Sequence, residues 1–340
     1  MGPEKIIEEI ENSLTGDSEK DMQFLTEQKE KYKNHRYSKE IIRACGRLLY
    51  KCVPEETKKN LDKLISDEAL SYESTIKKVR ALQHEGKYDE ALVPMEALVK
   101  KVEEMNWFKD DSVSEYHCFN EFFEEVLFRE YEKPTKTIRN PGFPLDTVYF
   151  QYGSLLIDAK RFKDAEKALI TALRWNPANA DIALERAEAC KLQGNLEAFF
   201  KHSIEAFKYA FRPKYLARCF RNVGYYFSDK EMWQEATNCY TLSLQFDKDS
   251  DVAFSEIFYI QEKSGKDARQ FVDSEFAQKT CKKYGFPFGP DENILSLAYS
   301  YGKHFIKEGD NEGAKYCLRI VYDLTNDESI AKQIEELSTK

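Results

Sequence analysis

Apolar residues recur at helical spacing along the chain, separated by positions that are largely charged. In residues 1–66 this pattern predicts an N-terminal region of three or four amphipathic helices. Ser38 and Pro54 stand where helices begin, since proline is well tolerated in a first helical turn. The helix predicted around residues 36–52 has an apolar face and an opposite basic face, each formed by residues three to four positions apart. The apolar face carries Ile41, Cys45, Leu48 and Cys52, and the basic face carries Lys39, Arg43, Arg47 and Lys51.

A second helical pattern lies in residues 107–145. Five apolar residues there share one helix face and predict a buried helix over 111–131: Phe119, Phe122, Phe123, Val126 and Leu127. Three prolines follow at positions 134, 141 and 144, which predicts an extended connector over 132–145 because proline disfavours helix on both sides.

Small and bulky residues also repeat at fixed intervals. Between positions 147 and 177 the sequence places Tyr149, Gly153, Ala165, Ala172 and Pro177. This arrangement resembles the tetratricopeptide repeat (TPR), a helix–turn–helix unit of 34 residues, at all five of its characteristic positions. The resemblance implies an all-α fold, in which helical hairpins stack into a superhelical solenoid, and a role as a non-enzymatic scaffold that binds proteins or peptides.

The chemistry of this pattern is simple. Two helices approach closely only where side chains are small, so Gly153 and Ala165 are expected at the crossing within the hairpin. Ala172 leaves room for the first helix of the next repeat, and Pro177 cannot continue a helix. One hairpin cannot bury its apolar face alone, so further copies are needed.

Further copies are present with varying clarity. Residues 180–213 are degenerate, with a turn at Gly194-Asn195, and residues 251–284 keep only a turn at Ser264-Gly265. Residues 217–246 restore the pattern with Gly224 and Ala236, and residues 295–325 with Gly302 and Ala314. An upstream hairpin is expected over 72–99. The predicted domains are an N-terminal helical region (1–66), a TPR-like hairpin (67–106), the inserted helix and connector (107–145), the main array (146–328) and a closing helix (329–340).

The resemblance also implies a concave groove lined by the first helix of each repeat. The groove positions, carried over onto this chain, are Phe150, Ser154, Leu184, Glu188, Arg218, Arg221, Tyr225, Ser255, Tyr259, Tyr299 and Lys303. Arg and Tyr supply much of the binding energy at interfaces. The groove is therefore expected to hold an extended or helical segment, with an acidic group near Arg218 and Arg221.

Composition narrows the function classes. The 340 residues carry a net charge of −9, and eight cysteines are scattered without a C-x-x-C pair, which favours reduced thiols and a cytoplasmic protein. We find no catalytic motif, no metal-ligand spacing and no cofactor-binding loop, and no apolar stretch long enough for a membrane helix. An enzyme is the least favoured class.

Charge is uneven and leaves alternatives open. Residues 29–63 hold 11 Lys/Arg against 5 Asp/Glu, whereas residues 103–132 hold 10 Asp/Glu against 2 Lys/Arg. The basic helices could contact nucleic acid, although a protein with a pI of about 5.4 disfavours this. Bacterial proteins with such repeats often carry an N-terminal helix-turn-helix, so a peptide-responsive regulator is the second hypothesis. Docking of the basic helices on the acidic insertion, within one chain or in a homodimer, is a third possibility.

Overall fold

The computed structural model describes residues 2–105 and 108–338, with the backbone alone at positions 56, 60–71 and 105. Two compact units are present. The amino-terminal unit comprises Met1–Cys118 and Lys133–Leu155, and the repeat unit comprises Phe119–Glu132 and Leu156–Lys340.

The amino-terminal unit is helical apart from one pair of short strands. Its elements are α1 (Pro3–Asn12), α2 (Ser18–Lys31), α3 (Ser38–Cys52), α4 (Glu55–His84), α5 (Tyr88–Met105), β1 (Ser114–Tyr116), β2 (Thr137–Arg139) and the first part of α7 (Leu145–Asp158). Helices α4 and α5 pair as the predicted upstream hairpin, with the turn at Gly86. The N-terminal helical extension is confirmed.

The core of the first three helices is the apolar face predicted from the sequence. Ile41, Cys45 and Leu48 on α3 pack with Ile6 and Ile10 on α1 and with Leu25 on α2. Burying each such side chain contributes about 1.5–3 kcal/mol to folding, so this face determines where α3 lies.

The basic side of α3 contacts the acidic insertion within the same chain. Arg43 donates a hydrogen bond to the carbonyl oxygen of Lys109 at 2.7 Å and lies 3.4 Å from the carboxylate of Asp111. One turn earlier, Glu40 accepts a hydrogen bond of 2.8 Å from the Ser112 hydroxyl. The basic helix α3 therefore docks on the acidic insertion within one chain, as the third possibility drawn from the charge distribution proposed.

The predicted helix over 111–131 is wrong in its first half. The helix α6 spans only Phe122–Glu132, and residues 114–116 instead pair in parallel with β2. Asp111 explains the difference, because its carboxylate accepts the backbone N–H groups of Val113 and Ser114 at 3.0 and 2.8 Å. Such local side-chain bonds compete with helix formation.

The repeat unit consists of helices joined by short turns. They are α6, the end of α7, α8 (Phe162–Trp175), α9 (Ala180–Leu192), α10 (Leu196–Ala206), α11 (Pro213–Asp229), α12 (Trp233–Leu244), α13 (Asp251–Ser264), α14 (Ser274–Tyr284), α15 (Glu292–Glu308), α16 (Asn311–Thr325) and α17 (Glu328–Ser338), with 3₁₀ turns at Phe207–Tyr209 and Ala268–Phe271. Helices α9 and α10, α11 and α12, and α15 and α16 pair as hairpins. The prediction of an all-α, TPR-like array is confirmed.

The small residues occupy the close approaches between helices. A Cβ atom added to Gly224 would lie 3.1 Å from the ring of Tyr240 on α12, and one added to Gly302 would lie 3.1 Å from Leu318 on α16. The alanines predicted to pack between helices, at positions 165, 172, 236 and 314, are fully buried, and Gly153 on α7 is buried as well. Helix α8 ends at Trp175, two residues before Pro177.

Helix α6 packs on the array through a buried carboxylate. Glu124 is 4% exposed and accepts hydrogen bonds from the side-chain amides of Asn176 and Asn179, both at 2.9 Å. It also accepts the backbone N–H of Asn120 at 2.7 Å. These donors offset the cost of removing the charge from water.

The same helix contacts later repeats. Phe123 is fully buried and lies 5.3 Å from the ring of Phe211, after α10. Glu121, just before the helix, pairs with Arg212 and accepts a hydrogen bond of 2.9 Å from Tyr316 on α16. Helix α6 therefore links the α8–α9 turn to the last hairpin of its own unit.

Candidate functional site

Most of the predicted groove positions lie in the repeat unit, on α9, α11, α13 and α15. Helix α9 carries Leu184 and Glu188, and helix α11 carries Arg218, Arg221 and Tyr225. Helix α11 contacts both α9 and α13, so these three helices lie side by side. Tyr259 is on α13, whereas Tyr299 and Lys303 are on α15. Phe150 and Ser154 are half-buried on the part of α7 that belongs to the amino-terminal unit.

Leu184 does not contribute binding surface. Its side chain is fully buried, so it packs between helices instead of facing a ligand. Lys303, on α15, donates a hydrogen bond of 2.9 Å to Gln333 on α17, and its ammonium lies 5.4 Å from the ring of Tyr299. These two groove positions are thus engaged with each other and with the closing helix.

The two arginines are already paired with carboxylates of the array. Arg218 lies 2.8 Å from Glu185 and 3.4 Å from Asp181, both on α9, and its side chain is 26% exposed. Arg221 lies 2.8 Å from Asp247 and is 17% exposed. The positive charge that the sequence places in the groove is therefore balanced within the unit.

A cavity of about 300 Å³ opens between α11 and α13. It is lined by Tyr225, Ser228, Asp229, Ser255, Glu256 and Tyr259, which we call the Tyr225–Tyr259 cavity. The sequence predicted both tyrosines and Ser255. It missed Asp229 and Glu256, although Asp229 follows Tyr225 by one helical turn and Glu256 adjoins Ser255.

Both charged residues that line the cavity, Asp229 and Glu256, are acidic. Burial raises the pKa of Tyr225, and the charges of Asp229, Glu256 and Glu188 raise it further. Glu188 is paired with Lys191 at 2.7 Å. In the portion of the chain that the structure describes, no Lys or Arg lies within ion-pair distance of Asp229 or Glu256.

Cationic groups already lie over both tyrosine rings. The Lys191 ammonium is 4.7 Å from the ring centre of Tyr225, and the Lys263 ammonium is 5.6 Å from that of Tyr259. Aromatic faces attract cations at such distances. The protein's own ammonium groups therefore already engage the two rings, and the acidic residues Asp229 and Glu256 are what suits an incoming basic group.

An exposed apolar face adjoins the cavity on α13. Val252, Phe254 and Phe258 are 60%, 53% and 59% exposed, and Tyr259 is 43% exposed. Phe254 and Phe258 are one turn apart and so lie next to each other on the helix. Clustered exposed aromatic residues next to a polar cavity are typical of protein-binding surfaces.

Features typical of metal-binding, membrane-spanning or thiol-dependent proteins are either absent from the described residues or buried. Over residues 2–105 and 108–338, no group of three or more His, Cys, Asp or Glu side chains is placed to hold a metal ion. No described helix is both long and apolar enough to cross a membrane. All eight cysteines are free thiols, and seven of them are buried. Burial raises the pKa of Cys190 and Cys317 to about 11, which disfavours the reactive thiolate.

Comparison with known proteins gives distant structural likenesses. No family model matches, and no curated protein matches. PilF of Pseudomonas aeruginosa has 12% identity and a TM-score of 0.42, over 79% of this chain and 98% of that one. A chain in the crystal structure of the APC/C hetero-tetramer Cut9–Hcn1 has 12% identity and a TM-score of 0.34, over 92% of this chain and 60% of that one. The helix pairing and small-residue contacts of this chain itself carry the assignment of its repeat fold.

Proposed function

We propose that this protein is a non-enzymatic scaffold that binds a segment of a partner protein in the groove formed by α9, α11 and α13. The Tyr225–Tyr259 cavity is the centre of the proposed site, and the exposed aromatic face of α13 extends it. The observation that carries the proposal is the combination of two carboxylates that form no ion pair among the described residues, two tyrosines and an apolar ridge on neighbouring helices.

The charge balance favours a partner segment with a basic side chain. Arg218 and Arg221 already form ion pairs with Asp181, Glu185 and Asp247. An incoming acidic group would have to displace these carboxylates. A Lys or Arg that enters the cavity meets Asp229 and Glu256 instead, beside the tyrosine faces. An apolar residue one helical turn away on the partner would pack on Phe254 and Phe258. The acidic segment expected from the sequence is thus the competing form of this proposal.

The experiment is a binding selection followed by matched variants. An array of labelled peptides with Lys-, Arg-, Asp- and Glu-bearing apolar sequences is screened on the purified chain, and dissociation constants are then measured for the best binder. We expect basic, aromatic-containing peptides to be selected. Glu256→Gln and Tyr259→Ala are expected to weaken binding about tenfold or more, because central aromatic and charged groups dominate interfaces.

Two controls locate the site. Glu262→Gln removes the same charge from an exposed position on the same helix and is expected to change affinity less than twofold. The Arg218→Ala variant tests the competing form. Selection of acidic peptides whose binding requires Arg218 but not Glu256 would overturn the basic-segment proposal.

The alternative of a regulator that contacts nucleic acid through the basic N-terminal helices has less support than the scaffold. On the basic face of α3, Arg43 is engaged with Asp111 and Lys51 lies 3.8 Å from Glu11, which leaves less charge for nucleic acid. Duplex DNA binding with a steep salt dependence at low ionic strength would favour a regulator. Absence of binding under those conditions would exclude it.

A further inference from the structure

The amino-terminal unit contains a second cavity with the opposite charge. It has a volume of about 150 Å³ and is lined by Ile7, Glu11, Ala44, Arg47, Leu48, Lys51 and Arg139. We propose that this Arg47–Arg139 pocket binds the phosphoryl group of a small phosphate ester. It is independent of the groove in the repeat unit.

The fold brings the three cations together from distant parts of the sequence. Arg47 and Lys51 lie one turn apart on α3, above the buried Ala44 and Leu48. Arg139 is the last residue of β2. Its carbonyl oxygen accepts the backbone N–H of His117 at 2.9 Å, and its Nε donates to the Ser114 hydroxyl at 2.8 Å. The strand pair therefore fixes Arg139, while its remaining guanidinium N–H groups are left for a ligand.

Positive charge in the pocket exceeds negative charge. Glu11 is the single carboxylate in the lining, and Lys51 lies 3.8 Å from it. Asp111 also acts electrostatically on Arg139, more strongly than Glu11 does, and is itself paired with Arg43. Three cations thus line a cavity whose lining holds one carboxylate among the described residues.

The pKa of Arg139 reflects this excess. Loss of water around the guanidinium lowers its pKa and the like charge of Arg47 lowers it further, more than Tyr116, Asp111 and Glu11 raise it. A bound dianion would raise this pKa again, since its negative charge offsets the positive charge of Arg47.

The shape and chemistry favour a phosphate ester. Guanidinium groups bind phosphate oxygens in a bidentate fashion. The two positive charges of Arg47 and Arg139 match a phosphate dianion better than they match the single charge of a carboxylate. Ile7, Ala44 and Leu48 form an apolar wall beside the cations, which suits an organic substituent on the phosphate. The volume restricts that substituent to a small one.

Isothermal titration with inorganic phosphate and with phenyl phosphate tests the proposal on the full chain. We expect both to bind, the ester more tightly, with a dissociation constant of about 1 mM or below. Arg47→Gln is expected to weaken phenyl phosphate binding at least tenfold. The Arg47 side chain makes no hydrogen bond within the described residues, so we expect this variant to leave the fold intact, and an unchanged melting temperature without ligand verifies that.

Lys39→Gln is the matched control, because Lys39 is an exposed cation of the same helix outside the pocket. It is expected to leave the affinity unchanged. Equal losses in Lys39→Gln and Arg47→Gln would show general charge attraction and overturn the proposal. The absence of binding at millimolar concentration, or binding of an oligonucleotide without binding of the monoester, would overturn it as well.

Discussion

Gly224 provides the sharpest test of the packing between paired helices. A methyl group at this position would lie 3.1 Å from Cε1 and Cζ and 3.2 Å from Cε2 of Tyr240, whose ring is 1% exposed. Carbon atoms prefer about 3.5–4.0 Å, so the ring or the helix must move. Such overpacking costs about 1–3 kcal/mol, whereas alanine gains about 1 kcal/mol over glycine in a helix. We therefore expect Gly224→Ala to lower the free energy of unfolding by about 1 kcal/mol.

Gly46 is the matched control for this substitution. It lies in the middle of α3, is exposed, and has no atom within 4 Å of an added Cβ. Gly46→Ala is therefore expected to stabilise the protein by up to about 1 kcal/mol, as in other exposed helix interiors. Urea unfolding followed by circular dichroism, fitted to separate transitions if the two units unfold separately, measures both values.

A third variant isolates the contact. In a Tyr240→Leu background the ring atoms near Gly224 are gone, so the cost of Gly224→Ala should shrink or change sign. If Gly224→Ala stabilises the wild-type chain as much as Gly46→Ala does, the two helices do not meet at this glycine. The packing argument would then be refuted.

Three further predictions concern buried groups. Glu124→Ala should lower the free energy of unfolding by about 2–4 kcal/mol in urea melts, because the buried amide of Asn176 and the half-buried amide of Asn179 lose their acceptor. Glu125→Ala, which removes an exposed ion pair with an arginine of α6, should change it by less than about 1 kcal/mol, and equal effects would contradict the buried network. A thiol reagent should modify Cys52, the one half-buried thiol, in the native protein, and should modify the other seven cysteines only after unfolding. Fast reaction of several thiols in the native protein would disprove their burial. Burial raises the pKa of Tyr131 and Tyr149 to about 12, so these phenols stay neutral in the folded chain above pH 10 while they ionise in the unfolded chain. The free energy of unfolding should therefore fall as the pH rises from 10 to 12. An ultraviolet titration in which every tyrosine ionises reversibly near pH 10 would refute this.

Sequence reasoning identified the array because its signal is local and periodic. Gly224 and Gly302 lie at close helix contacts, as their spacing predicted, since only small side chains permit the approach, and Ala236 and Ala314 are fully buried. The strand pair was missed because each strand has three residues and its partner lies more than 20 positions away. A periodic pattern of apolar residues does not reveal a pairing between such distant and short strands. The helix was predicted to begin at Asp111 because the apolar residues at 119–127 lie at helical spacing.

The candidate site was predictable in position but not in charge. The repeat frame located Tyr225 and Tyr259 on neighbouring helices, which now line one cavity. It could not show that Arg218 is matched by Glu185 on the preceding repeat, because ion pairing between helices depends on side-chain reach. The same limit concealed the Arg47–Arg139 pocket, whose two arginines are 92 positions apart in the sequence.

The most direct test of the proposed function is a charge exchange between the two sides of the groove. Glu256→Lys in the protein, and replacement of the basic residue by glutamate in the selected peptide, should each weaken binding at least tenfold in a fluorescence-polarisation titration. Combination of the two changes should restore most of the affinity, because the ion pair is re-formed with its charges reversed. If the combined change binds as weakly as either single change, the partner's basic residue does not meet Glu256, and the Tyr225–Tyr259 cavity is not its binding site.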